Sequence, residues 1–194
     1  MTERSTEDER RFDALFAEHG PDVVAYCGWR ASTSDAQDAV ADVFLTAWRR
    51  LDDVPGGPSA ARVWLYATAR RVIANQRRSN RRRSALQERL VREARPTDER
   101  SSTREAALVH EALERLGPRD REILLLSEWE GMSAMEIASV MGCLAVTARG
   151  RLHRARRRFR AAFEDVCDRD ARGAAMARRP GGASDYSLLR EGGS

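Results

Sequence analysis

Seven arginines and no acidic residue fall between Ala145 and Arg160. A helix that is merely soluble mixes Glu with Arg at i, i+4. This stretch leaves its repulsion uncompensated, and a polyanion would relieve it. That is the chemistry of binding. Within the stretch, Thr147, Arg149, Arg151 and Arg154 occupy the first half, the part of a major-groove helix that meets base edges. A guanidinium fork there can take guanine O6 and N7 together, while Arg149, on a flank, suits a phosphate. The plain alternative is a basic helix on a solvated surface. A second set lies upstream, where Trp64, Arg71 and Arg78 collect on one side of a helical wheel with Asn75 at its margin. An aromatic plane beside a guanidinium can stack on an unpaired base; a tryptophan at this spacing can equally be ordinary core. A third set, Asp35, Asp38 and Asp42, lies on the more exposed side of its own helix.

Each set needs an element to present it. Ser133 can cap a short helix and Glu136, three residues on, can complete a capping box. Ile137, Val140 and Met141 give that helix an apolar face, and Gly142 stands where it must stop and reverse. A second helix begins near Ala145. Its stripe Ala145, Ala148, Leu152, Ala155, Phe159 and Ala162 packs inward, which turns Thr147, Gly150, Arg151, Arg154, Arg157 and Arg158 outward. A capped helix, a glycine turn and an arginine-faced helix predict a helix-turn-helix.

Upstream, the spacing predicts helices over Glu7–Glu18 and from Asp22 to about Arg30, separated at Gly20-Pro21. A third opens at Ser34 and runs to about Leu51, with Val40, Val43, Phe44, Ala47 and Trp48 toward a core. After the break at 52–59 a long helix runs from about Ala60, with Leu65, Tyr66, Ala69, Val72 and Ile73 on one face, and dissolves into RRSNRRRS. Residues 95–103 have the composition of an inter-domain linker. Helices then start near Thr103 and at Pro118. The expectation is an all-α fold: a domain over 7–94, a flexible linker over 95–103, a helix-turn-helix domain over 104–167 and a disordered tail over 168–194. Two weakly tethered domains are expected to be extended when free.

Charge is distributed unevenly. Residues 1–58 hold twelve acidic and six basic residues, a balance of −6, whereas 70–95 hold ten arginines against Glu88 and Glu93, a balance of +8. Such asymmetry fits one nucleic-acid partner and one basic protein surface. No apolar run reaches membrane-spanning length and the N-terminus is polar, so neither membrane insertion nor a secretory leader is expected, and the compartment is the cytoplasm. Cys27, Cys143 and Cys167 form no CxxC pair, and His19, His110 and His153 are scattered. With no metal-ligand cluster, Gly-rich phosphate loop or nucleophile–base constellation, no enzyme activity, metal or cofactor is expected.

The stretches DAQDAVADVFLTAWRR (35–50), ARVWLYATARRVIANQRRSNRRR (61–83) and ALERLGPRDREILLLSEWEGMSAMEIASVMGCLAVTARGRLHRARRRF (112–159) resemble the extracytoplasmic-function (group 4) sigma factors of bacterial RNA polymerase. The resemblance covers most of residues 10–165, in the family's order. It implies that Asp35, Asp38 and Asp42 bind core polymerase, that Trp64, Arg71, Asn75 and Arg78 read and melt the −10 element, and that Thr147, Arg149, Arg151 and Arg154 read the −35 element. It also implies promoter DNA, core RNA polymerase and an anti-sigma factor as partners. The two elements lie roughly 25 steps of 3.4 Å apart, which two domains on a linker can span. Leu144 stands where the family has a small capping residue. Gly150 stands where serine is common, at a cost of about 1 kcal/mol against alanine. The rival reading is a response-regulator type of helix-turn-helix protein binding duplex DNA without polymerase. Such a protein needs neither the acidic helix nor the Trp64 segment.

Overall fold

The computed structural model describes residues 6–84 and 103–177. The helix-prone stretch 85–94 and all of the expected linker but Thr103 lie outside them. Seven α-helices, with no strand among the described residues, make up the fold: α1 (Thr6–Gly28), α2 (Thr33–Arg49), α3 (Pro58–Ser84), α4 (Arg104–Glu114), α5 (Pro118–Glu128), α6 (Ala134–Met141) and α7 (Ala145–Ala177). They group as two helical domains, α1–α3 and α4–α7.

Pro21 does not divide the first helix; α1 runs through it. Proline removes one backbone donor and weakens a helix locally. However, Leu15, His19, Val23, Tyr26 and Cys27 form one buried stripe along both sides of it, and burying that stripe outweighs the lost bond. α2 starts one residue before the expected Ser34, because Ser32 is its cap and accepts from the Asp35 amide at 3.3 Å. Val23, Cys27, Ala39, Val43, Ala47, Leu65 and Ala69 are sealed between α1, α2 and α3. Phe12 and Phe16 close one end by edge-on contacts with Trp48 and Phe44. Burial pushes the Cys27 thiol up to about 11, so it stays a neutral core group. The break at 52–59 holds a single 3-10 turn, Leu51–Asp53, and Gly57 at φ 89° before Pro58 opens α3. α3 continues through RRSNRRRS to Ser84 instead of dissolving there. Arginine is itself a good helix former, and Arg77 is held by the Arg30 carbonyl.

In the second domain Thr103 caps α4 and Pro118 opens α5, both where the sequence predicts them. α7 runs ten residues past 167, so residues 168–177 are helix where a disordered tail was expected. Val166 is buried, Asp170 pairs with Arg104 on α4, and Arg169 lies 3.5 Å from Glu111. These contacts along α4 hold the last turns that composition alone would leave loose; residues 178–194 lie outside the described residues. The domains also differ from the expected extended arrangement. α3 packs on α6, and one apolar core runs through both domains.

Candidate nucleic-acid interface

The helix-turn-helix forms from local signals. The Ser133 amide donates to Glu136 Oε2 at 2.7 Å and the Glu136 amide donates back to Ser133 Oγ at 3.3 Å, closing the capping box. The Ser59 hydroxyl adds a third bond to Glu136. Together these donors, Ser59 first, hold its carboxyl down at about 2. Gly142, at φ 62°, takes the left-handed turn, and the Cys143 amide reaches back to the Ala138 carbonyl at 3.0 Å. Ala148, Leu152 and Ala155 then seat α7 against the domain.

The arginines of α7 separate into two kinds. Arg156 binds Glu128, at 2.7 and 3.0 Å, and Ser127, while Arg158 binds Asp120. Both fasten α7 to α5; Arg158 is exposed, as the wheel predicts, but its charge is met by Asp120. Arg149, Arg151, Arg154 and Arg157 take no carboxylate partner among the described residues. Arg149 and Arg154 are exposed, whereas Thr147 and Arg151 are half-buried on the flank of the outer face. Gly150 lies on that face, where a Cβ would meet the Arg154 guanidinium at 3.5 Å. Val146, 69% exposed, and His153 also stand there. The sequence reading passed over both, although their wheel positions, opposite Ala148 and Leu152, were the signal that could have found them. Leu144, 72% exposed, supplies no side-chain cap, which leaves the positive end of α7 open.

On α3, Arg71, Asn75 and Arg78 are exposed on one side. Asn75 Oδ1 accepts from Arg78, and Arg71 Nε donates to the Ala67 carbonyl at 3.1 Å. Trp64 begins the same stripe but is half-buried, with one edge packed on the core. It is therefore neither the free platform nor the sealed core residue that the sequence allowed. On α2, Asp38 and Asp42 are exposed and take no ion pair among the described residues, while Asp35 is half-buried beside Ser32. Leu45, one turn beyond Asp42, is exposed and was not singled out from sequence. The three sets lie on three different helices, α2, α3 and α7. The described residues contain no group of three His, Cys, Asp or Glu side chains able to hold a metal, and no helix long and apolar enough to cross a membrane.

The Sigma-70 region 2 family matches residues 15–83, and Sigma-70, region 4 matches residues 106–159. The RNA polymerase sigma-E factor of Streptomyces antibioticus is 32% identical over 141 residues, covering 71% of this chain and 75% of that protein. This chain belongs to the extracytoplasmic-function sigma factors. The ECF RNA polymerase sigma factor SigL of Mycobacterium tuberculosis is 28% identical over 158 residues, 79% of this chain and 89% of that protein. The sigma factor RpoE of Bartonella quintana, solved with the anti-sigma factor NepR, shares the fold at a TM-score of 0.67 and 22% identity, over 79% of this chain and 96% of its own. As a sigma factor, the protein directs RNA polymerase to particular promoters; α1–α3 carry region 2 and α4–α7 carry region 4.

Proposed function

We propose that α7 reads the −35 element through Arg149, Arg151 and Arg154 with Thr147, that Trp64, Arg71, Asn75 and Arg78 on α3 read and open the −10 element, and that Asp35, Asp38 and Asp42 dock region 2 on core polymerase. One observation carries this reading. Arg156 and Arg158 are neutralised within the domain while Arg149, Arg151 and Arg154 are left without a carboxylate. Cations left without a carboxylate on one helix face suit a polyanion. The functional units follow as region 2 over 7–94, a linker over 95–103 and region 4 over 104–167. The protein acts in the cytoplasm without catalysis of its own, and an anti-sigma factor controls it, as the shared fold with RpoE and family membership support.

The test is in vitro transcription with core polymerase on a randomised promoter library. The wild-type protein selects one −35 and one −10 sequence at fixed spacing. Arg151→Ala and Arg154→Ala relax selection at the −35 element alone. Selection by both variants identical to wild type would overturn the assignment of α7.

A further inference from the structure

Beside the apolar core that runs through both domains, their contact carries a set of polar groups that none of the proposed promoter or polymerase contacts uses. Tyr26 of α1 and Tyr66 of α3 stack with ring centroids 4.6 Å apart and planes at 15°. Each hydroxyl donates across to region 4: Tyr26 to Glu122 Oε1 at 2.9 Å, Tyr66 to Glu130 Oε2 at 2.8 Å. Burial first, then the facing glutamates, push both phenols above the ordinary tyrosine range, so they remain donors. The Glu122 side chain is only 2% exposed, and the same oxygen also takes Arg30 at 2.8 Å and Arg70 at 3.2 Å. Arg62 lies 4.0 Å from Glu130, and Ser59 bonds Glu136. The described partners of Glu122, namely Tyr26, Arg30 and Arg70, all belong to region 2, although Glu122 sits on α5 of region 4.

A carboxylate with two guanidiniums gives little net stability when buried, because water solvates all of them on separation. Added to the apolar packing between the domains, such a cluster fixes one closed geometry, and reversing the charge of its glutamates sets their partners against it. On the α3 wheel Ser59, Arg62, Tyr66 and Arg70 form one stripe, and Trp64, Arg71, Asn75 and Arg78 lie on the opposite side. Closure therefore leaves the proposed −10 residues uncovered. What it removes is reach. A compact chain of this length is about 40 Å across and α7, the longest element, about 50 Å, whereas the two promoter elements are roughly 85 Å apart.

We propose that the stacked Tyr26–Tyr66 pair, clasped with Arg30 and Arg70 onto Glu122 and Glu130, is an intramolecular latch that holds this sigma factor closed and must open before one molecule can occupy both promoter elements. The proposal rests on the assignment of the −35 and −10 elements given above.

Small-angle scattering of the full chain tests the latch without DNA. The wild-type protein is compact at low salt. Glu122→Arg with Glu130→Arg lengthens its maximum dimension by about a third or more, with helicity by circular dichroism retained. Tyr26→Phe with Tyr66→Phe keeps the rings, removes two donors, and opens at lower salt than wild type. With core polymerase and no other protein, the charge-reversed variant initiates several-fold more from a promoter carrying both elements, yet binds a duplex carrying only the −35 element within about twofold of wild type. Both variants remaining as compact as wild type would overturn the latch. Opening without a gain in initiation would overturn its inhibitory role. Scattering that shifts as expected, with no −35 selection by any of the proteins, would sink the promoter assignment and leave the latch standing.

Discussion

Arginine is the only basic side chain in this protein other than histidine, so residue type alone cannot say which cations meet DNA. Partners can. Arg156 and Arg158 are matched to Glu128 and Asp120, residues 28 and 38 positions away in the chain, which no helical wheel shows. Arg151→Ala or Arg154→Ala is expected to cost roughly 1–3 kcal/mol of −35 affinity if the side chain takes guanine bidentately, read by titration of labelled duplex. Arg156→Ala should instead lower the thermal midpoint and leave sequence selection unchanged. Glu136 gives a second expectation at this scale. Its carboxyl is held at about 2 against an ordinary 4.5, so its bonds stabilise fully above 4.5 and are lost as pH falls toward 2. Wild-type stability will therefore fall more steeply than that of Glu136→Gln between those values, measured by thermal unfolding across the range. Parallel curves for the two proteins would show that the capping box and its Ser59 bond carry no such linkage.

At the scale of elements, what a segment settles with its own neighbours was legible. The Ser133–Glu136 box, the Gly142 turn, the Thr103 cap and the Pro118 start all follow from residues within a few positions, and all form as expected. Pro21 and the end of α7 were not legible, because there the outcome depends on distant packing. The stripe through His19 and Val23 needs α2 and α3, and Asp170 needs Arg104. Trp64 was legible only as a choice, since half-burial depends on how closely the rest of the core packs around α3. Trp64→Ala is expected to lose about 1–2 kcal/mol of stability from its buried edge. It is also expected to slow strand opening while leaving closed-complex binding near wild type. Permanganate reactivity of promoter thymines separates the two effects. On α2, Asp38→Arg with Asp42→Arg should abolish co-elution with core polymerase at little cost in stability, since both carboxylates are solvated.

At the scale of the whole molecule, the two-domain division was readable from composition, but the way the domains meet was not. Glu122 looks like one more helix-surface acid in sequence; its burial appears only when Tyr26, Arg30 and Arg70 arrive from the other domain. The closed arrangement also changes the expectation that a partner is needed to make the chain compact. The reach of α7 bears on truncation. Ending the chain after Ala177 should leave stability unchanged, whereas ending it after Phe163 removes Val166 and Asp170 and should lower the thermal midpoint by several degrees.

The unbroken length of α7 has a mechanical side. Its N-terminal turns carry the proposed −35 arginines and are seated through Ala148, Leu152 and Ala155 between them, and its far turns are tied by Asp170 to Arg104, the first residue of α4. It is a lever with its fulcrum near Leu152. A tilt of about 10° as the N-terminal end settles into a groove displaces the far end, about 30 Å away, by about 5 Å. α4 travels with that end, and Thr103 with it. The proposed grip on DNA at one end of the rod would thus be delivered as a pull at the point where the chain crosses from region 2 to region 4.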